Sequence, residues 1–228
     1  MKAICAHLVL GLLLLGRVAR ADDASDLKDC KKGLGVVCVE LGQRILNATD
    51  DTKDPAKAYD LFVKGCDKKA PKGCVFAASM KAKGDEVPKD QAKAFALRVR
   101  ACDLDDGATC NDVAVALWDA SDGAPKQDHR KAKTFYEKAC RLKDGLGCFN
   151  FGNLYRLGWV VKLDLKAALP LFQKSCDLET AQGCTELAAM YYDGDPVAKD
   201  RDKAFTLYTK GCKLGSKASC KGVDLFKK

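Results

Sequence analysis

Twelve cysteines stand in six pairs of one spacing: Cys30 with Cys38, Cys66 with Cys74, Cys102 with Cys110, Cys140 with Cys148, Cys176 with Cys184 and Cys212 with Cys220, with seven residues between the members of each. Thiols can hold a metal, exchange electrons or cross-link a chain. Metal sites favour closer cysteine spacing and recruit histidine, and beyond His7 the sequence holds only His129. Redox catalysis calls for a C-x-x-C pair or an isolated thiolate, and neither is present. Cross-linking suits an even, evenly spaced set in an exported chain. Twelve cysteines would still allow roughly ten thousand pairings.

Export is expected from the N-terminus. Lys2, the apolar run Leu8 to Leu15 and the small-x-small stop Ala19-Arg20-Ala21 read as a signal peptide over 1–21 rather than as a membrane anchor. Its removal takes Cys5, Lys2, Arg17 and Arg20, and the net charge falls from +8 to +5. No later segment is apolar enough to span a bilayer. The expected location is secreted or periplasmic. The remaining basic excess has a local use: Lys64, Arg100, Lys138, Lys174 and Lys210 each stand two residues before a cysteine, in the last turn of a helix, where a cation opposes the dipole. No basic cluster alternates with aromatics, so nucleic acid is not expected as a partner.

The elements that place the cysteines repeat as well. First cysteines recur every 36 residues, with one step of 38 between Cys102 and Cys140; a period of this size marks a solenoid. The division is a capping helix and first cysteine turn over 22–37, five helix A/helix B repeats over 38–217 and a terminal capping helix over 218–228. Helix B opens on Asp54, Asp90, Asp128, Asp164 or Asp200, each an N-cap. Four residues on stands Ala58, Ala94, Ala132, Ala168 or Ala204, then pairs such as Leu61-Phe62 and Leu207-Tyr208, then a small residue. These positions share one helical face. Arg98 interrupts the aromatic position, and Pro170 should kink or weaken its helix. Helix A is expected to run from each second cysteine. It carries Gly42, Ala78, Ala114, Gly152 or Ala188 four residues later, and stops at Gly84, Gly158 or Gly194. An apolar residue falls six after the cysteine, except Arg44 in the first repeat. The two extra residues of the third repeat should bulge the loop from Asp119 to Gln127.

The run Gly-x-x-Val-x-Lys-Asp-x-x-Lys-Ala, as at Gly84–Ala94 and Gly194–Ala204, followed by aromatic-x-Lys-Gly-Cys at Tyr208–Cys212, resembles the Sel1-like repeat. The added C-x7-C resembles its disulfide-rich branch, the Helicobacter cysteine-rich protein type, over about residues 26–228. The resemblance implies an all-α fold: an α/α solenoid, a right-handed superhelix of tetratricopeptide-related repeats. It implies that each C-x7-C pair is a disulfide across a turn. In the chain-entropy picture such a loop adds about 2–3 kcal/mol, which matters where stability is a sum over units. It implies an exported interaction protein without a cofactor, and it brings two other readings: weak β-lactam binding and hydrolysis, and a respiratory-chain assembly factor of the mitochondrial intermembrane space. The signal peptide argues against the latter.

Residues for catalysis are sparse. Ser25-Asp26-Leu27-Lys28 spells S-x-x-K, but S-D-N and K-T-G are absent. Asp103, Asp105 and Asp106 could form a carboxylate pair, yet they occupy a turn where solvation suffices. Asn47-Ala48-Thr49 fits a glycosylation acceptor. Binding has better candidates. Positions one, five and eight after each second cysteine share a face of helix A, which lines the concave surface in tetratricopeptide-like solenoids. The later repeats place Asn111, Trp118, Phe149, Asn153, Arg156, Thr185 and Tyr192 there; Trp, Tyr and Arg are enriched at hot spots. The alternative is that Trp118 and Phe149 fill the core between repeats. The expectation is a monomeric, non-enzymatic scaffold that binds a peptide or protein in its groove, with no metal. Mass mapping of the oxidised mature chain should find six short-range bridges and no free thiol; links between distant repeats would overturn the scheme.

Overall fold

A computed structural model describes residues 23–227; the expected signal peptide over 1–21 lies outside them. Every regular element among the described residues is a helix. The chain forms two compact units, the first ending at Leu104 and the second starting at Asp105. The first holds α1 (23–32), α2 (Gly35–Leu46), α3 (Pro55–Asp67), α4 (Pro71–Lys83) and α5 (Gln91–Asp103). The second holds α6 (Gly107–Asp119), α7 (His129–Arg141), α8 (Gly145–Leu157), α9 (Leu165–Asp177), α10 (Ala181–Asp193), α11 (Arg201–Lys213) and α12 (Lys217–Asp224). From α2 on, even-numbered helices are helix A and odd-numbered ones helix B, and the fold class is an α/α solenoid.

Capping chemistry sets the helix starts. Asp54, Asp90, Asp128, Asp164 and Asp200 each accept the backbone N–H three residues on, at 2.8–3.0 Å. Asp106 and Asp144 do the same for α6 and α8. Asp106 is therefore a cap, whereas the sequence suggested only a solvated turn. These caps also correct the expected start of helix A. Cys38, Cys74, Cys110, Cys148, Cys184 and Cys220 do not open their helices; each lies three residues inside one, in its first turn. The reason is local. Asp106, Asp144 and Ser216 cap from four residues before the cysteine, and Pro71 takes the first helical position of α4, where its missing N–H costs nothing.

Gly84, Gly158 and Gly194 close α4, α8 and α10 in the left-handed region, where a side chain would be strained. Four of the five A–B loops are then tied by the N–H of the capping aspartate: Asp90 to the Lys81 carbonyl, Asp128 to Leu117, Asp164 to Tyr155 and Asp200 to Tyr191, all at 2.9 Å. The same bond closes the loop after α6, so its two extra residues are absorbed within 120–128.

Small residues then let helices approach. A Cβ on Gly42 of α2 would lie 2.8 Å from the ring of Phe62 on α3, and one on Gly35 would lie 2.8 Å from the Lys68 carbonyl. The start of α2 therefore meets the end of α3, and the pair is antiparallel. Gly152 of α8 meets Phe172 of α9 at the same 2.8 Å. Phe62 and Phe172 are completely buried, as are the five helix-B alanines.

The cysteine turns close as the resemblance implied. Cys30 is bonded to Cys38 with their Cα atoms 4.8 Å apart, and Cys66 to Cys74 at 4.7 Å. In the second unit Cys140 is bonded to Cys148 at 4.3 Å, Cys176 to Cys184 at 4.5 Å and Cys212 to Cys220 at 4.6 Å. Cys102 and Cys110 are disulfide-bonded as well.

Two departures from the repeat, and one of its constant features, have physical reasons. Arg44 replaces an apolar residue because it pins α1: its guanidinium reaches Asp23 at 2.8 Å and Asp26 at 2.5 Å. The cations before the cysteines do more than serve their own helix. Arg100 pairs with Asp67 at 2.5 Å, Lys138 with Asp105 at 3.4 Å, and Lys210 donates to the Cys176 carbonyl at 2.8 Å, each reaching back one repeat. Pro170 does not break α9, which runs on through it. It is exposed, and so is Lys166, whose carbonyl loses its partner; water can serve instead. Pro170→Ala should restore that hydrogen bond and stabilise the chain by about 2 kcal/mol; thermal unfolding with an unchanged midpoint would show that the helix has already accommodated the ring.

Candidate functional site

In the second unit helix A lies against the next helix A, α6 on α8, α8 on α10 and α10 on α12, while the B helices stand farther apart. A stack so built bends toward its A side. The residues on that inner face come from the turn upward: the disulfide anchors the second cysteine in the first turn of each helix A, and positions one, five and eight after it follow at helical spacing.

The structure places most of them on the seams between neighbouring repeats. Asn111 is buried, and its Oδ1 accepts the Asn150 amide at 2.8 Å. Arg156 donates to Asn153 Oδ1 at 3.0 Å and faces Glu186 of the next helix A at 3.5 Å. Thr185 shares hydrogen bonds with Ser219 at 2.6 Å and Ser216 at 3.0 Å. Phe149 tilts against Phe172, with ring centres 6.0 Å apart. Tyr192 meets Phe226 edge-on at 5.7 Å, with Arg201 and Lys199 over its ring. Trp118 stacks on His129 at 4.1 Å and touches Trp159 at 5.5 Å. Asn111, Trp118, Arg156, Thr185 and Tyr192 thus link repeats, whereas Phe149 packs within its own repeat and Asn153 holds Arg156; all but Asn111 keep part of their surface in solvent.

The partners reveal a position that the expected stripe omits. Asn150 and Glu186 both stand two residues after a second cysteine, so that position also faces the seam. In the second repeat its occupant is Phe76, whereas Glu40, Asp112, Asn150 and Glu186 of the other repeats are polar. That one aromatic among polar equivalents is the sequence signal that could have drawn attention to it. Phe76 lines a cavity of about 430 Å³ with Leu46, Phe62, Ser79, Met80 and Lys83. Trp159 was also absent from the stripe; it lies in the loop after α8 and is half exposed.

Ser25 and Lys28 of the S-x-x-K spelling are exposed on α1, and Asp26 between them is held by Arg44. Among the described residues no three His, Cys, Asp or Glu side chains group as a metal site. The perturbed groups are structural. Burial pushes the Tyr136 hydroxyl up to about 12, with the Asp119 charge adding to it. The Lys131 N–H, the nearest cause, holds Asp128 below the ordinary carboxylate value. Burial raises Asp144, opposed by the Gly147 N–H and aided by the charge of Asp106.

Comparison with known proteins agrees with this architecture. The family described as Sel1 repeat matches residues 36–69, 71–106, 109–144, 145–179 and 181–216. A putative β-lactamase, HcpC, of Helicobacter pylori is 51% identical over 41 residues, 18% of this chain and 14% of its own length. The chain therefore spans a small part of that relative. Helicobacter pylori cysteine-rich protein B is 33% identical, with 60% of this chain and 98% of that one covered and a TM-score of 0.47. The antigen c5321 of uropathogenic Escherichia coli, which displays an SLR fold, superposes with a TM-score of 0.75 at 21% identity, covering 87% of this chain and 42% of its own.

Asp144 gives a pH test. Its folded pKa is raised, so its contribution to stability is complete below the unfolded value and is lost as pH rises through the folded one. Asp144→Asn keeps a capping oxygen and removes the charge. Denaturant unfolding should show the variant gaining on the parent as pH rises above the ordinary aspartate value of about 4; a constant difference would remove Asp144 from the account.

Proposed function

The chain belongs to the Sel1 repeat family, in its disulfide-rich form, and from that we propose that it is an exported, non-enzymatic scaffold that binds a peptide or protein along the helix-A face of its second unit. One observation carries this reading. Residues that build each repeat stay the same from copy to copy, whereas those on the shared A face change: Trp118, Arg156 and Tyr192 occupy one equivalent position. A surface of fixed geometry and changing chemistry can read an extended partner residue by residue. Disulfides in this number belong to an oxidising, extracytoplasmic compartment, and secretion or residence in a periplasm is the form proposed. Among the described residues no helix is long and apolar enough to cross a membrane. The scaffold is proposed to act as a monomer.

Hydrolysis of β-lactams rests on the name of a relative matched over a short stretch, and Ser25 and Lys28 offer no enclosed site. Nitrocefin turnover by the oxidised protein tests it directly.

The binding reading is tested by capture from the envelope or secreted fraction with oxidised protein, followed by affinity measurement on the partner found. Arg156→Ala should weaken binding about tenfold, the worth of one charge-assisted hydrogen bond. Glu186→Ala removes the same ion pair across the seam but leaves the guanidinium, and should retain affinity. Equal losses in both variants would mean that Arg156 only holds the repeats together.

A further inference from the structure

We infer that the first unit carries a second, separate binding site: the cavity between α2 and α4, built for a short zwitterionic peptide bearing one large apolar side chain. The argument begins with equivalent positions. Eight residues after one second cysteine and two after the next, the fourth and fifth repeats place Arg156 and Glu186, which pair across the seam at 3.5 Å. The first and second repeats place Leu46 and Phe76 at those two positions. No ion pair fills the slot there, and a cavity of about 430 Å³ remains, lined by Leu46, Phe62, Phe76 and Met80.

The floor is rigid. Beneath it Phe62 is fully buried, its ring edge seated on the bare backbone of Gly42, and Phe76, which keeps part of its surface in solvent, tilts against it with ring centres 5.1 Å apart. Met80 is nearly buried and adaptable. Such a surface takes an aromatic or large aliphatic side chain. The rim carries both signs of charge. Lys53 and Glu86 pair at 2.8 Å and tie the loop after α2 to the loop after α4. Lys83 and Asp85 also line the rim, and neither has an ion-pair or side-chain hydrogen-bond partner among the described residues. A free ammonium and a free carboxylate beside one apolar floor match a ligand that ends in a carboxylate and an amine. The volume is that of a dipeptide rather than of a folded partner. This site does not involve the A face of the second unit and stands or falls apart from it.

Calorimetry on the full oxidised chain with glycyl-phenylalanine, N-acetylphenylalaninamide and glycylglycine decides the matter. The first should bind about tenfold more tightly than the uncharged amide, and glycylglycine should not bind. Lys83→Ala, a change at an exposed residue, should bring glycyl-phenylalanine down to the level of the amide and leave the amide unaffected. Phe76→Glu, the residue found at two of the equivalent positions (Glu40 and Glu186), should abolish binding of both. Absence of binding by glycyl-phenylalanine, equal affinity for it and the amide, or indifference to Lys83→Ala would each overturn the proposal. Arg156→Ala should leave the dipeptide affinity unchanged, which separates this site from the face proposed above.

Discussion

A bridge between cysteines eight apart can close only if two antiparallel helices nearly touch, and the rest of the molecule follows from meeting that condition. The chain meets it with small residues on both sides of the turn. A Cβ on Gly73 would lie 2.6 Å from the Phe62 carbonyl, and one on Gly147 would lie 2.4 Å from Ala139. Ser175 occupies the same place on α9 and turns its hydroxyl to use, donating to the Gly145 carbonyl at 2.7 Å. That turn is thereby tied to the one before it. The covalent clasp limits the unfolded chain, while close packing sets the angle at which helix A leaves helix B.

Once the turn is fixed, the seams between repeats have little freedom. Cations before the cysteines reach back to the preceding helix end, as Lys210 does to Cys176. Exposed pairs of this kind, such as Arg100 with Asp67, are individually worth little; their effect is to set register. The inner face then uses polar links, Asn111 with Asn150 and Thr185 with Ser219, where the outer helices stand apart. Recognition and cohesion share the same side chains. A partner laid along this face would touch groups already oriented by their neighbours, which lowers the ordering cost of binding.

Variation between copies is informative because the backbone does not vary with it. The same two positions hold an ion pair in one part of the chain and a gap between apolar groups in another. Filling the slot with Arg156 and Glu186 makes a seam; leaving it to Leu46 and Phe76 makes a cavity. Neither choice disturbs the helices, since both positions lie on the inner face and keep their helical spacing.

Repeat length, the helix-B caps, the cysteine turns and the small-residue positions were legible from the chain itself, because each recurs as a fixed pattern within one helix pair or its turn. Asp54 caps α3 for reasons contained in the next three residues, and Cys66 meets Cys74 because the turn is short. Helix A starts three residues before the expected point at Cys38, Cys74, Cys110, Cys148, Cys184 and Cys220 alike, since the cysteine marks the clasp and not the cap. What could not be read were contacts made one repeat away. Arg44 reaching Asp23, Pro170 tolerated on a wet face, Arg156 answered by Glu186 and the cavity under Phe76 all depend on which faces of successive helices meet. That is decided by the packing of one helix pair on the next, and local pattern carries no record of it.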